Sequence, residues 1–261
     1  MNEATVNGIQ MAYRDEGQGE PLLLIHAFPL THAMWEPQIA DLSTDLRVIA
    51  PDLRGFGASE LGDGPTSMEQ YADDMAALLD SLELERVALA GLSMGGYVAF
   101  AFLRKYRARV TALILADTRS GPDSDEGKML REQNARMVEN QGLKSLSEQM
   151  IDKLLTPNAP PNLQSQVRQM IETNNGHGIA SALRAMAKRP DSIPLIKTID
   201  VPTVVIVGTK DTLTPPSEAH TMSAKIPNSR LIEIADTAHL TNMEDPAAFN
   251  VGLRSVLPVS L

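Results

Sequence analysis

The chain has 261 residues, of which 33 are acidic and 23 are basic, giving a net charge of −10, and it contains no cysteine. This length suits one large α/β domain with an insertion, or two small domains. The acidic balance and the lack of a long run of Lys or Arg make nucleic acid an unexpected partner. Without cysteine, the chain has no disulfide, no thiolate metal site and no cysteine nucleophile.

The first residues interleave polar and apolar side chains, so they lack the basic start and apolar run of a secretory signal. No stretch approaches the roughly 18 uninterrupted apolar residues of a membrane span. We therefore expect a soluble, cytoplasmic protein without a membrane partner. Its oligomeric state cannot be predicted from these patterns.

Strands and helices alternate in the first half of the chain. Short apolar runs at residues 22–26, 47–50 and 87–90 are typical of strands that are buried on both faces. Between the second and third runs, apolar residues at helical spacing predict a helix over 68–84 that starts after a Ser67 cap. This order predicts a parallel sheet with crossover helices.

The pattern continues with a predicted helix over 94–106 and a strand over 110–116. Residues 118–197 contain no strand-like run, and their helical segments are broken by prolines and glycine. We call this stretch the helical insertion. Strand-like runs return at 201–208 and 230–234.

A closing helix is predicted over 246–257. No repeat, low-complexity tract or flexible linker separates the pieces. We therefore expect residues 1–117 and 198–261 to form one α/β core, a doubly wound and mostly parallel sheet, with residues 118–197 as a helical cap.

A glycine-flanked serine lies between a predicted strand and a predicted helix. Gly91, Ser93 and Gly95 form the motif GxSxG, in the setting that a nucleophile elbow requires. A serine at such a turn needs a strained backbone, and flanking glycines remove the Cβ atoms that would clash. The following helix directs free N–H groups toward the place where an oxyanion would form. We predict that Ser93 is a nucleophile.

The serine needs a base, because an alcohol is a weak nucleophile near neutral pH. The chain order of serine, acid and then histidine in proteins with this motif excludes His26 and His32. His177 falls in the helical insertion, and His220 falls in a predicted surface helix. His239 instead follows the strand 230–234 through a short loop, so we predict that it is the general base.

An acid must hold the base in one tautomer. Asp211 comes just after the strand 201–208, at the carboxyl end of the sheet, where the sites of open α/β sheets gather. Asp117 follows the strand 110–116 and stays open as a second candidate. Asp52 precedes the serine, and we expect it to be structural.

An oxyanion hole needs two backbone N–H groups. We expect them from Met94, directly after the nucleophile, and from Phe28, in the loop after an early strand. His26, at the end of that strand, is expected to hold the loop by a hydrogen bond. Trp35, the only tryptophan, is expected to anchor the packing of this region.

Five segments resemble the signatures of the α/β-hydrolase superfamily. They are IHAFP (25–29), PDLRGFGAS (51–59), AGLSMGG (90–96), VGTKDTLTP (207–215) and AHLTNMEDP (238–246). The chain is similar to the group that contains carboxylesterases, 3-oxoadipate enol-lactonases and cofactor-free perhydrolases. This resemblance implies an α/β-hydrolase fold, a Ser93-Asp211-His239 triad and a helical cap over the pocket.

Two features set this chain apart within the superfamily. The usual His-Gly after the early strand is His26-Ala27 here. This change leaves open the conformation of the loop that presents Phe28. Because the nucleophile is a serine, the chain does not resemble haloalkane dehalogenases or epoxide hydrolases, which need a carboxylate. A serine at this position is also compatible with a carbon–carbon bond hydrolase.

The sequence therefore predicts a serine hydrolase of a small-molecule carboxylic ester or lactone, without metal or organic cofactor. A perhydrolase or haloperoxidase-like enzyme with the same triad is the nearest alternative, and a non-catalytic receptor on the same fold is a remote one. The specificity is expected to lie in the helical insertion. Its methionines either shape an apolar pocket or fill the core. Arg54 and Arg119 either meet a substrate carboxylate or form internal salt bridges.

Overall fold

The computed structural model describes residues 1–257. Residues 258–261, which the sequence assigns to the core, lie outside the described residues. The strands are β1 (Asn2–Val6), β2 (Ile9–Glu16), β3 (Glu20–Ile25), β4 (Leu46–Pro51), β5 (Val87–Leu92), β6 (Val110–Ala116), β7 (Thr203–Gly208) and β8 (Arg230–Ile234). Within the described part of the chain they form one sheet in the order β1-β2-β4-β3-β5-β6-β7-β8.

The sheet is parallel from β4 to β8, and the β1–β2 hairpin joins β4 in antiparallel orientation. The central strands β5, β6 and β7 are buried almost throughout, which is the pattern expected of strands covered by helices on both faces. The predicted mostly parallel α/β sheet is therefore confirmed. The carboxyl ends of β5 to β8 meet at one edge.

Helices follow most strands. They are α1 (Glu36–Leu42), α2 (Met68–Ser81), α3 (Met94–Tyr106), α4 (Asp125–Gln141), α5 (Lys144–Leu154), α6 (Pro161–Glu172), α7 (Gly176–Ala187), α8 (Ile193–Ile196), α9 (Pro216–Lys225), α10 (Thr241–Glu244) and α11 (Pro246–Arg254). Residues 32–35 and 107–109 form short 3₁₀ turns. None of the helices in residues 1–257 is long and apolar enough to cross a bilayer.

The ends of two helices differ from their predicted positions. The predicted Ser67 cap is present and accepts from Gln70 N–H at 3.0 Å, but the helix predicted over 68–84 ends at Ser81. Glu83 has φ of 56°, and a left-handed residue ends an α-helix. The closing helix predicted over 246–257 ends earlier, at Arg254.

The sequence does not predict β1 and β2. Charged side chains interrupt β2, so it lacks the apolar run by which the buried strands are recognised. The strand predicted over 201–208 begins at Thr203, two residues late, because Pro202 has no N–H to donate to a ladder.

Helices α4 to α8 lie between β6 and β7, and the described structure has no strand there. These five helices fall within residues 118–197, the stretch called the helical insertion. Gly178, at the start of α7, packs against the loop after β4, where its added Cβ would lie 1.9 Å from Gly55 O. The insertion also accepts a hydrogen bond at Leu154 O from Leu240 N–H, at 3.0 Å. It is therefore held against the carboxyl edge of the sheet.

Candidate active site

Ser93 lies at the turn between β5 and α3. Its backbone has φ of 55° and ψ of −112°, a combination that costs free energy for a residue with a Cβ atom. The turn is held because Ser93 N–H donates to Ala116 O at 2.9 Å and the Thr118 hydroxyl donates to Ser93 O at 2.8 Å. The side chain is half-buried. The strained turn thus presents the hydroxyl at the edge of the sheet.

The flanking glycines are needed because other backbone comes too close for a side chain. A Cβ on Gly91 would lie 2.3 Å from Gly95 O, and one on Gly95 would lie 2.2 Å from Ile25 O. No Cβ fits at these distances. The GxSxG motif therefore has the steric role that the sequence predicts.

His239 lies in the loop between β8 and α10, and its ring contacts Asp211. Its Nδ1–H donates to Asp211 Oδ2 at 2.8 Å, and both side chains are buried. With Nδ1 as the donor, Nε2 carries the lone pair of the neutral ring. The structure therefore brings the predicted base and acid together in the arrangement that a general base requires.

The turn after β7 holds the Asp211 carboxylate. Oδ1 accepts from Leu213 N–H at 2.8 Å and from Thr214 N–H at 3.0 Å, and Oδ2 accepts from the Thr214 hydroxyl at 2.6 Å. Although burial acts in the opposite direction, the His239 ring and these hydrogen bonds hold the pKa of Asp211 below its ordinary value. The Asp211 side chain is therefore favoured as a carboxylate, and its hydrogen bonds fix the orientation of that carboxylate.

Asp117, the alternative acid, makes different contacts. Its Oδ1 accepts from Gly208 N–H at 2.9 Å, and its Oδ2 accepts from the Thr241 hydroxyl. Burial, and next the negative charge of Asp211, raise the pKa of Asp117 well above its ordinary value. In the described residues it forms no hydrogen bond to His239, so it links β6, β7 and α10 and does not orient the ring.

Ser93 and His239 line the same cavity, which has a volume of about 200 Å³. Among residues 1–257 no hydrogen bond joins the Ser93 hydroxyl to the His239 ring. Such contacts are often loose in the absence of substrate. The structure thus places the predicted nucleophile and base in one cavity, with no hydrogen bond between the two side chains.

The two predicted oxyanion donors are free. Phe28, which lines the cavity beside Ser93, belongs to no helix or strand. Met94 is the first residue of α3, so its N–H has no partner within the helix. Neither N–H has an acceptor within residues 1–257. Both N–H groups therefore lack a protein acceptor, one in the loop after β3 and one directly after Ser93.

The loop that carries Phe28 is fixed on both sides. His26 Nε2 accepts from Leu53 N–H at 3.0 Å and its Nδ1 donates to Ala27 O at 3.0 Å, so His26 holds the loop as predicted. Burial lowers the pKa of His26 to about 4, which keeps the ring neutral at pH 7. Ala27 does not have a positive φ, and the change from the usual Gly is therefore accommodated without strain.

Asn174, at the end of α6, ties this loop to the helical insertion. Its Nδ2 donates to Pro29 O at 2.9 Å, and its Oδ1 accepts from Gly57 N–H at 2.7 Å. It is buried. One side chain of the insertion thus holds both the loop after β3 and the loop after β4.

The insertion supplies one wall of the cavity. Among its methionines, Met150 and Met186 line the cavity, whereas Met129 is 63% exposed. Apolar residues Leu146 and Leu183 share that wall. The methionines therefore divide between the pocket, the core and the surface.

Other residues that the sequence singles out have separate places. Trp35 is fully buried and packs at 5.9 Å against Phe249, as a packing anchor does. Arg54 donates twice to the buried carboxylate of Asp74, at 2.7 and 2.8 Å, and so forms an internal salt bridge. Arg119 lines the cavity.

Sequence reasoning missed Glu244. Its Oε2 accepts from Ala238 N–H at 2.7 Å, next to His239, and its Oε1 accepts from Thr156 N–H at 2.8 Å. Glu244 lies within the segment 238–246 that carries the resemblance, so its short distance from His239 along the chain was the available signal. Asn174 gave no such signal, because its partners in the two loops, Gly57 and Pro29, are more than a hundred residues away.

Known proteins match this chain over most of its length. The 3-oxoadipate enol-lactonase 1 of Acinetobacter baylyi is 30% identical over 84% of this chain and 81% of its own. A thermophilic esterase from Thermogutta terrifontis, solved with malate bound, superposes with a TM-score of 0.93 at 43% identity, covering 97% of this chain and 95% of that one.

The enol-lactonase from Burkholderia xenovorans LB400 superposes with a TM-score of 0.90 at 29% identity, over 98% of this chain and 99% of that one. The model of the family described as alpha/beta hydrolase fold matches residues 20–246. That match covers the whole parallel sheet, the nucleophile elbow and the loops after β7 and β8, and the chain therefore belongs to the α/β-hydrolase family.

Proposed function

We propose that this protein is a serine hydrolase that cleaves a small carboxylic ester or lactone through an acyl-enzyme on Ser93. The main support is the buried hydrogen bond of 2.8 Å between His239 Nδ1 and Asp211 Oδ2, in a cavity that also contains Ser93. It leaves the lone pair of Nε2 to act on a hydroxyl in the same cavity.

Acylation begins when the Ser93 hydroxyl donates a hydrogen bond to the ring. Ser93 Oγ attacks the carbonyl carbon while its proton passes to His239 Nε2. The carbonyl oxygen becomes an oxyanion and accepts hydrogen bonds from Phe28 N–H and Met94 N–H. Since these donors have no other partner, little reorganisation is needed when the charge develops.

The tetrahedral intermediate then collapses, and the bond to the leaving oxygen breaks. His239 returns its proton to that oxygen, so an alcohol leaves, or the ring of a lactone opens. Asp211 stabilises the imidazolium meanwhile. Water then attacks the acyl carbon while one of its protons passes to His239. His239 returns that proton to Ser93 Oγ as the acyl–oxygen bond breaks, which releases the carboxylic acid and free Ser93.

The size of the cavity and the relatives support a small substrate. A cavity of about 200 Å³ is compatible with a compact acyl and alcohol pair. The similar proteins include enol-lactonases and an esterase. We therefore assign the substrate to short esters or lactones.

We further propose that residues 118–197 act as a cap, and residues 1–117 with 198–261 as the catalytic core. Two observations support this division. The insertion supplies Met150 and Met186 to the cavity wall, and it joins the core through Asn174 and the Gly178–Gly55 contact.

The test is pre-steady-state release of 4-nitrophenol from 4-nitrophenyl acetate. The wild type should give a burst of about one equivalent per active site, and Ser93→Ala should give none. Ser165→Ala, which changes an exposed serine on α6, is the matched control and should keep the burst. Undiminished turnover by Ser93→Ala would contradict the proposal. Hydrogen peroxide added to the same reaction, with peracetic acid measured as the product, separates hydrolysis from peracid formation on the same intermediate.

A further inference from the structure

Three arginines surround one carboxylate at the side of the cavity. Asp123, in the segment before α4, is ion-paired with Arg119 at 3.2 Å, with Arg189 at 2.8 Å and with Arg131. Asp123, Arg119 and Arg131 all line the cavity. We call these four residues the arginine cluster. It carries an excess of positive charge beside Ser93.

The three arginines differ in burial and in how many of their N–H donors have acceptors within the protein. Arg189 is buried, donates to Met186 O and Gly121 O at 2.9 and 3.0 Å, and stacks over the Tyr97 ring at 4.2 Å. Its guanidinium is therefore part of the packing. It anchors the end of α7 to the core, so it is a poor ligand for a substrate.

Arg131 has an intermediate position. Its side chain is 18% exposed, and besides Asp123 it contacts Met186 Sδ at 3.3 Å. A thioether is a weak acceptor. Arg131 thus keeps the Asp123 carboxylate in place and retains part of its donor capacity toward the cavity.

Arg119 is the most exposed of the three arginines. Its side chain is 31% exposed, and its carboxylate partner in the described structure is Asp123, at 3.2 Å. The Tyr97 hydroxyl, which lines the same cavity, also acts on it. Its Nε has no partner. The next carboxylate that acts on it, Glu218, forms no ion pair with it in residues 1–257. Several of the five N–H donors of this guanidinium therefore have no carboxylate partner, in the cavity that contains Ser93.

Asp123 does not neutralise the cluster. Although burial acts in the opposite direction, hydrogen bonds from Arg189 and Arg131 hold the pKa of Asp123 well below its ordinary value, so it contributes one negative charge to three positive ones. Lys153 also lines the cavity and has no ion pair within the described residues. A half-buried excess of cations attracts an anion more strongly than the same charges would in water.

We infer that the substrate carries a free carboxylate in addition to its scissile ester or lactone, and that Arg119 binds this carboxylate. The inference rests on the proposed function. Arg119 is suited to the task because a guanidinium meets a carboxylate with two parallel N–H groups. It acts as a specificity residue, and the reaction at Ser93 is unchanged.

The test compares substrate pairs that differ in one charge. Monomethyl glutarate against dimethyl glutarate places the carboxylate on the acyl side. 4-Acetoxybenzoate against methyl 4-acetoxybenzoate places it on the alcohol side. In at least one pair, the wild type should have a kcat/KM for the anionic member that is about tenfold or more above that for the neutral one, as expected of a charge-assisted hydrogen bond.

Arg119→Gln should lower that ratio of kcat/KM values to about one, and Arg119→Lys should keep part of the preference for the anionic member. Arg136→Gln is the matched control on α4, since Arg136 is 72% exposed and pairs with Glu132, and it should leave the ratio unchanged. Added salt should lower the ratio for the wild type and leave it unchanged for Arg119→Gln. Thermal unfolding of each variant verifies that it is folded.

Two results would overturn the inference. In the first, the wild type has no higher kcat/KM for the anionic member of either pair. In the second, Arg119→Gln lowers kcat/KM for both members of the pair by the same factor. These differ from failure of the proposed function, in which Ser93→Ala would still turn over the neutral esters or the wild type would turn over no ester. In either overturning case with active wild type, the arginine cluster is an internal anchor of the insertion.

Discussion

Asp211 and Asp117 follow neighbouring strands at the same edge of the sheet, yet their surroundings favour opposite charge states. Asp211 accepts from His239 Nδ1–H at 2.8 Å and from three donors of its own turn. Asp117 is fully buried with two donors, close to a second carboxylate. Two adjacent carboxyl groups avoid mutual repulsion when one of them is neutral.

This difference predicts unequal effects of the same substitution. Asp211→Asn should lower kcat by about a thousandfold or more, because an amide stabilises the wrong tautomer of His239. Asp117→Asn should lower kcat by less than about tenfold, since asparagine tolerates the φ of 43° at that position. Steady-state kinetics with one ester measures both.

Thermal unfolding provides the control for these variants, because both carboxyl groups are buried. A larger catalytic loss for Asp117→Asn than for Asp211→Asn, in folded proteins, would move the acid to β6. Sequence spacing alone left both residues open, since both lie at a strand end. The contact with His239 decides between them, and it depends on packing across the sheet.

The elements differ in how far they could be predicted from the sequence. The central strands are uniform apolar runs, so their positions were predicted within about two residues. The β1–β2 hairpin was missed because charged residues interrupt the strand pattern of β2. One of them, Asp15, pairs with Arg47 of β4 at 2.8 Å. The ends of α2 and α11 were placed too late because left-handed and turn residues carry no strong local signal at Glu83 and Ser255.

The contact between α7 and the loop after β4 predicts a difference between two glycines on one helix. A Cβ on Gly178 would lie 1.9 Å from Gly55 O, whereas a Cβ on Gly176 would lie 3.6 Å from its nearest neighbour, Val138. Gly178→Ala should therefore push the insertion away from the core. We expect a loss of about 1–3 kcal/mol in the free energy of unfolding, typical of overpacking, and a lower kcat/KM.

Gly176→Ala is the matched control, and its effect on the free energy of unfolding should stay within about 1 kcal/mol. Urea unfolding and ester kinetics measure both variants. Equal behaviour of the two variants would contradict the view that this contact holds the insertion over the site. The short distance from Gly178 to Asn174 along the chain suggests that the loop with Phe28 shifts as well.

In the whole molecule, the site depends on side chains that are far apart in the sequence. The positions of Ser93, Asp211 and His239 after strands could be predicted because residues of this motif follow a fixed order along the chain. The contacts of Asn174 could not be predicted, because they depend on how the insertion lies on the core. For Arg119 the sequence left both a substrate carboxylate and an internal salt bridge open. The chain carries a net charge of −10, and the arginine cluster beside Ser93 is positive, a contrast that composition alone does not reveal.

Covalent labelling tests the central claim most directly. A 4-nitrophenyl alkylphosphonate forms a stable adduct with an activated serine. Intact-mass spectrometry should show one adduct per chain, and peptide mapping should place it on Ser93. Ser93→Ala should take up no label, and Asp211→Asn should take it up much more slowly. A label on another residue, or equal labelling of Ser93→Ala, would contradict the account.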